Sequence, residues 1–270
     1  MWSRLMSFEI RHRDGRTLYV AQAHDLRGAL AEALLRRVDL AGVDLAGADL
    51  TGSDLEDARL SGANLAGCKL RRSNLESADL RSAELTDADL SGCNLEDADL
   101  KGCKLAAASL RGANLEDACL DEADLSRADL DGANLEGAQL RRAVLRDATL
   151  RRANLEGADL DGVEGDGLAA PAANLEKARL RDASLARADL SRSNLERVDL
   201  RNARLRSANL VGCNLERADL RRADLGDADL REASLERADV SEASFEGTNL
   251  EGADTSAMRG EPMRAPRGYR

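Results

Sequence analysis

Leucine recurs at nearly every position divisible by five from Leu35 to Leu250, interrupted only at Gly165, Ala170, Val240 and Phe245. Nothing else in the chain restricts its fold as strongly. A period of five matches neither the ~3.6 of an α-helix nor the ~2 of a strand. Two residues before each Leu stands a small residue, as at Ala48, Ala58, Ala63 and Ala78, with Val, Ser and Cys as variants. Asp or Asn lies between them, and two variable residues follow. The small residue and the Leu are the persistently apolar pair, so both must point inward. The pattern suits a coil whose every side is one pentapeptide: a short extended piece, then a corner. Gly42, Gly47, Gly52, Gly62 and Gly67 fall at the corner, where a turn often needs φ > 0.

Longer columns give the number of sides. Asn74, Asn94, Asn114, Asn134, Asn154, Asn174, Asn194 and Asn214 recur at one interval. Glu56, Glu76, Glu96, Glu116, Glu136, Glu156, Glu176, Glu196, Glu216 and Glu236 keep the same interval, whereas the other pentapeptide phases show no such uniformity. The interval is four pentapeptides, so one turn of the coil has four sides. With turns ~4.8 Å apart, the spacing of paired strands, residues 38–253 make about 11 coils and a rod roughly 50 Å long. The chain is thus expected to be an all-β solenoid.

The tandem A(D/N)Lxx motif resembles the pentapeptide-repeat family. That resemblance implies a right-handed quadrilateral β-helix, the handedness coming from the family and not from the period. Some family members with acidic rods bind DNA gyrase or topoisomerase IV on the basic saddle that holds a DNA segment, and protect against gyrase poisons. Related proteins dimerise through their C-terminal turns.

Between 161 and 172 the motif collapses into VEGDG and LAAPA, yet both columns keep count across it. Val163 and Leu168 take the small inward positions, while Gly165 and Ala170 vacate the Leu positions. This exchange of volume predicts a distorted coil near Gly165–Pro171 that bends the rod or forms a docking loop. Pro171 falls at a corner, where its missing N–H matters least.

At the N-terminus, residues 1–37 read as a small cap. SFEIRHRDGRTLYVA alternates around Asp14-Gly15, a hairpin signal, with Phe8 and Ile10 on the face opposite Leu18 and Val20. Asp25 then reads as the N-cap of a helix to about Arg37, with Leu26, Leu30, Ala33 and Leu34 as its apolar stripe. The far end lacks such a device. Val240, Phe245 and Leu250 are expected to form an exposed apolar end for a homodimer, followed by a disordered, basic tail over 254–270.

The chemistry of the chain is sparse. Both histidines, His12 and His24, precede the repeats, so no Ser–His or Cys–His pair can form along them. Cys68, Cys93, Cys103 and Cys213 replace the small inward residue; Cys119 takes the outward Asp/Asn position and is the one expected to be exposed. No cysteine pair has zinc-ligand spacing, and no Gly-rich phosphate loop or calcium-binding repeat is present. No enzymatic activity, cofactor or metal is expected. The absence of a signal peptide and of a long apolar run leads to an expected cytoplasmic location, away from membranes.

Charge is the informative property. Charged residues are 33% of the chain and aromatics 2%, with a net charge of −11. That balance disfavours nucleic acid and favours basic protein surfaces. Carboxylates of the Glu column, ~5 Å apart, repel by roughly 1 kcal/mol even in a water-like dielectric. In the C-terminal half, Lys177, Arg197, Arg217 and Arg237 follow the column and can neutralise it; in the N-terminal half Asp57, Asp97 and Asp117 aggravate it. One edge, comprising Glu56, Asp57, Glu76, Asp79, Glu96, Asp97, Asp99, Glu116, Asp117, Asp121 and Glu122, therefore reads as acidic, unrelieved and partner-binding. Two functions stay open: a DNA mimic that binds gyrase or topoisomerase IV, and a scaffold for another protein partner.

The inward assignment of Leu has a direct test. Leu110→Ala is expected to destabilise by ~2–5 kcal/mol, as buried Leu truncations do. Arg111→Ala, at the neighbouring corner, should change stability by less than about 1 kcal/mol. Urea unfolding of the two variants checks this; equal losses would place Leu outside the core.

Overall fold

The computed structural model describes residues 5–263. Two strands, β1 (Met6–Arg11) and β2 (Thr17–Ala23), form an antiparallel hairpin, and one helix, α1 (Leu26–Leu35), follows. Phe8 pairs with Ala21 and Ile10 with Tyr19, and the register slips after Ile10. The Asp25 side chain caps α1 by accepting from the Gly28 N–H at 2.8 Å. Ile10, Ala21, Ala29, Leu30 and Ala33 are buried in the same core as the first coil. The hairpin joins that coil through the backbone: Arg13 N donates to Gly42 O, and Asp44 N to Arg11 O, both at 2.9 Å. The His12 imidazole lies over Gly42, in the space a Cβ there would need.

From Asp44 onward, every parallel bridge joins residue n to residue n + 20. Leu residues from Leu40 to Leu235 are buried, with Leu50, Leu110 and Leu220 fully inaccessible. The partner inward position is equally dry: Cys68, Cys103 and the Ala residues there from Ala58 to Ala243 are 0–2% exposed. Each corner turns on a hydrogen bond from the small residue back to the preceding Leu, such as Ala133 N to Leu130 O at 3.0 Å. The second corner residue has positive φ at every corner from Arg37 to Ala257, whether it is Gly112 (59°), Arg72 (56°), Asp97 (56°) or Ala107 (57°).

One pentapeptide shows how the backbone is satisfied. Leu130 N donates to Thr149 O, and Gly132 N to Arg151 O, in the next coil; Asn134 N donates to Ala113 O in the preceding one. Ala133 N closes the turn. That leaves the first corner residue, whose N–H meets no carbonyl of a neighbouring coil. Asp131 N donates instead to the Asp129 side chain at 3.1 Å. This is an Asx-turn, and it gives the Asp/Asn position its purpose.

Four of the exceptions to that position show the same need. Gln139, Thr149, Arg179 and Ser184 cannot serve in this way, and in each case an Asp at the corner one coil earlier does. Arg141 N donates to Asp121 Oδ1, Arg151 N to Asp131 Oδ1, Arg181 N to Asp161 Oδ1 and Ala186 N to Asp166 Oδ1, at 2.9–3.1 Å. Where Ala169 offers no acceptor, the corner residue is Pro171, which has no N–H to satisfy.

Two expectations are corrected. The coil at 161–172 is neither bulged nor out of register: Glu164 bridges Val144 and Ser184, and Ala169 bridges Thr149 and Asp189. Its ladder bonds, Gly165 N to Ser184 O and Ala170 N to Asp189 O, are 2.7 Å. The side chains absorb the exchange of volume. Leu185 Cδ2 lies 3.0 Å and Leu168 Cδ2 3.6 Å from where a Cβ on Gly165 would sit, so Leu168 fills the space that position vacates. The strain that remains is a long turn bond, Ala173 N to Ala170 O at 3.4 Å. The ladder also continues past 253: Asp254 bridges Ser234, Arg259 bridges Asp239, and Met263 N donates to Ala243 O at 2.8 Å. The rest of the tail expected to be disordered, 264–270, lies outside the described residues.

Polar residues at the small inward position obey one rule. Ser73, Ser193 and Thr248 donate to the Leu-position carbonyl of the preceding coil, Ser73 Oγ to Leu50 O at 2.8 Å. Ser53 would need that carbonyl from Leu30, which lies in α1 rather than in a coil, and its buried Oγ has no partner. Ser53→Ala is therefore expected to be neutral or to stabilise by up to about 1 kcal/mol, and Ser73→Ala to destabilise by about 1 kcal/mol. Chemical denaturation of the pair checks the sign; a loss at Ser53 as large as that at Ser73 would refute the assignment.

Candidate protein-binding edge

The Asn and Glu columns form one interlocked ladder. Asn114 Nδ2 donates to Asn94 Oδ1 at 3.2 Å and to Glu96 Oε2 at 3.1 Å, and its own Oδ1 accepts from Glu116 N at 3.4 Å. The unit repeats below and above, as in Asn94 with Asn74 and Glu76, and in Asn134 with Asn114 and Glu116. Each amide thus places an N–H on a carboxylate that would otherwise face its neighbours unassisted. The sequence shows the two columns but not this link, which depends on side chains of successive coils meeting at the corner.

Along the acidic edge the eleven residues fall into two groups. Asp79, Asp99, Asp121 and Glu122 have basic partners: Arg81 lies 2.6 Å from Asp79 and 3.6 Å from Asp99, Arg141 2.6 Å from Asp121, and Lys101 3.7 Å from Glu122. The expectation that the whole edge is unrelieved is corrected for these four. Asp121 is almost buried, and it caps the Arg141 N–H as well as pairing with its guanidinium. The second group is Glu56, Asp57, Glu76, Glu96, Asp97, Glu116 and Asp117, which occupies a single corner. Its Glu members take Asn hydrogen bonds, and all but Glu56 are half-buried. Asp57, Asp97 and Asp117 are exposed and make no ion pair among the described residues.

The same corner is neutralised further along the rod. Lys177 Nζ sits 3.0 Å from Glu156 and 2.9 Å from Glu176, and Arg217 bridges Glu196 and Glu216 at 3.5 and 3.6 Å. The next corner carries a continuous Arg–Asp ladder, in which Arg201 contacts Asp199 (2.6 Å) and Asp219 (3.5 Å), and Arg221 contacts Asp219 (2.6 Å) and Asp239 (3.9 Å). At the Glu corner, negative charge without an ion-pair partner is therefore concentrated in the N-terminal half.

The expected exposure of the C-terminal apolar end is corrected too. Val240 is inaccessible and Phe245 is 2% exposed, because the coil reaching Met263 lies over them; Leu250 is half-buried, and Ala253 and Met258 pack on the same core. Cys119 is half-buried rather than exposed, and burial raises its thiol pKa. Burial also raises the inward thiols, Cys68 to about 11 and Cys93, Cys103 and Cys213 to about 12. Their thiols donate to Leu-position carbonyls, as Cys103 Sγ does to Leu80 O. Among the described residues no group of three or more His, Cys, Asp or Glu is placed to hold a metal ion. No helix among them is long and apolar enough to cross a membrane.

A family model described as pentapeptide repeats matches residues 25–65, 58–97, 93–132, 128–163, 172–202, 199–237 and 223–254. It leaves out 164–171, where Gly165 and Ala170 replace Leu. Among solved structures, HetL, a pentapeptide repeat protein involved in heterocyst differentiation regulation from the cyanobacterium Nostoc sp. strain PCC 7120, is 32% identical; the match covers 86% of this chain and 93% of that one, with a TM-score of 0.41. A trypsin-treated form of QnrB1, a plasmid-mediated fluoroquinolone resistance protein, is 20% identical over 73% of this chain and 91% of that one, with a TM-score of 0.47. A pentapeptide repeat protein of the Arabidopsis thaliana thylakoid lumen is 33% identical over 38% of this chain and 69% of that one, with a TM-score of 0.31. No curated protein matches the chain.

Asp79 gives the edge a measurable titration. Hydrogen bonds from Arg81 Nε (2.8 Å) and Nη2 (2.6 Å) hold its carboxyl below the usual range, against the opposing effect of partial burial. Arg81→Gln is expected to raise the Asp79 pKa toward its ordinary value. Because the folded pKa is lowered, the stabilisation is complete above the unfolded value of about 3.9 and is lost as pH falls through the folded one. The stability gap between wild type and variant should therefore be open at neutral pH and close in strong acid. Carboxyl NMR titration and urea midpoints check both; a gap independent of pH would sink the assignment.

Proposed function

This chain belongs to the pentapeptide-repeat family, and on that footing we propose that it is a non-enzymatic, protein-binding rod of about eleven coils. In this reading the hairpin and α1 act as its N-terminal cap, and its acidic corner engages a basic protein surface of the kind that holds DNA. DNA gyrase and topoisomerase IV are the partners to test, because family members with acidic rods bind them there.

The supporting observation is the run Glu56, Asp57, Glu76, Glu96, Asp97, Glu116 and Asp117, which has no basic partner among the described residues, against the neutralised corner from Glu156 onward. Charge density makes the comparison with DNA quantitative. Seven carboxylates on four coils spaced ~4.8 Å apart give about one charge per 2.7 Å. Duplex DNA carries one per ~1.7 Å of axis and a single strand one per ~3.4 Å. The corner lies within that range for about 20 Å, the length of roughly six base pairs. This short span is also what favours a second reading, a scaffold whose acidic corner docks some other basic protein, since a long DNA-holding saddle would extend beyond it.

A gyrase supercoiling assay, with and without a quinolone, separates the two. The mimic reading expects inhibition or protection that weakens as salt is added. It also expects the effect to be lost when Asp57, Asp97 and Asp117 are changed to Asn. Asn tolerates positive φ, so these changes remove charge while the corner conformation is kept. If gyrase and topoisomerase IV ignore the protein in low salt, the mimic reading falls and the scaffold reading takes its place.

A further inference from the structure

One corner in the C-terminal half sets apolar residues among arginines. Pro171, Ala172 and Val211 form an apolar floor there, Ala172 exposed and the other two half-buried. Arg151, Arg152 and Arg192 surround that floor. All three are exposed, and none of their side chains makes an ion pair or hydrogen bond among the described residues. They contrast with Arg181, Arg201 and Arg221 on the opposite corner, each held by Asp. On the far rim Arg231 is satisfied internally by Asp229 at 2.7 Å. The floor exists because the repeat fails here: Pro171 stands at a corner that needs no N–H acceptor, so neither Asx nor a charged corner residue is required.

We propose that this corner docks an extended acidic segment of another protein, with two carboxylates flanking an apolar side chain. The spacing sets the pattern. Arg152 and Arg192 lie two coils apart, about 9.6 Å at ~4.8 Å per coil. A polyproline II segment has three residues per turn and rises ~3.1 Å per residue, so positions i and i + 3 share a face about 9.3 Å apart. A Glu-x-x-Glu segment running along the rod therefore sets one carboxylate on each guanidinium and an intervening apolar residue on Ala172 and Pro171. Arg151 is placed to take a further carboxylate, with the bidentate geometry that suits Arg to this role. Nucleic acid fits less well, because the adjoining corner carries Glu156, Glu176 and Glu196 and a polyanion crossing the rod would meet that column. This site is opposite in charge to the proposed acidic edge and lies in the other half of the rod, so either can fail without the other.

Fluorescence anisotropy tests it, using the full chain and a labelled peptide that repeats Glu-Leu-Pro-Glu. Saturable binding is expected, weakening as salt is added. The triple change Arg151→Gln, Arg152→Gln and Arg192→Gln should weaken it by roughly tenfold or more, as loss of several charge-assisted contacts does. A control triple, Arg142→Gln, Arg187→Gln and Arg204→Gln, removes the same charge from unpaired, exposed arginines elsewhere and should leave affinity within about twofold, since screened surface charges act weakly at a distance. Val211→Asp, which keeps every arginine but puts a charge on the floor, should weaken binding as the first triple does. Absence of saturable binding to the wild-type chain, equal loss in both triples, or tighter binding of a short duplex DNA through the same arginines would each overturn the proposal.

Discussion

Each side of this coil has one backbone N–H that no neighbouring coil can satisfy, and much of the sequence is organised around it. Of the five donors in a pentapeptide, three reach adjacent coils and one closes the turn. The donor of the first corner residue must find a side chain. Asp and Asn before each Leu are there for that reason. The four substitutes, Asp121, Asp131, Asp161 and Asp166, act from one coil earlier where the local acceptor is missing, and Pro171 removes the donor instead. An orphaned donor costs about 1–3 kcal/mol when buried. That magnitude explains why Gln139, Thr149, Ala169, Arg179 and Ser184 each come with a compensating corner residue.

The same constraint shapes the charge of the rod. Acceptors for the corner N–H are largely carboxylates, so the fold accumulates negative charge as it lengthens. Arg and Lys at the corners offset it by pairing within and between coils, as Arg201 does with Asp199 and Asp219. Where corner cations are missing, near Glu96, Asp97, Glu116 and Asp117, structural charge is left over. Where corner arginines make no ion pair among the described residues, as at Arg152 and Arg192, the opposite surplus appears. Both candidate surfaces are places where internal bookkeeping of charge is incomplete.

Much of this was legible in the sequence, and the misses share a cause. Period five placed Leu and Ala inward, and the Asn and Glu columns gave the coil its length; both follow from backbone geometry that repeats without regard to side-chain contacts. The hairpin turn at Asp14-Gly15 and the Asp25 N-cap are local signals and were equally readable. What could not be read were contacts between side chains of successive coils. The bulge expected at Gly165 is absent because Leu168 and Leu185 share the vacated volume, a three-dimensional repacking with no sequence signature. Arg81 and Arg141 looked like scattered corner residues but neutralise Asp79, Asp99 and Asp121. Val240 and Phe245 looked terminal because the motif fades after them, yet the backbone ladder does not need the motif to continue. One signal was available and unread: the Asp residues at the first corner position each precede, by one coil, a site lacking Asp or Asn.

The stacking has a mechanical consequence. Each coil is bonded only to the coil before it and the coil after it, and the first coil is additionally tied to the hairpin through His12 and Val43. Tension applied between the two ends of the rod therefore meets its weakest attachment at the last coil and peels inward from there. Every coil released would free about 66–72 Å of contour length at ~3.3–3.6 Å per residue. The rod behaves as a ratcheted tape with a fixed origin at α1, shedding equal lengths while the remaining coils keep their shape and the surfaces they carry.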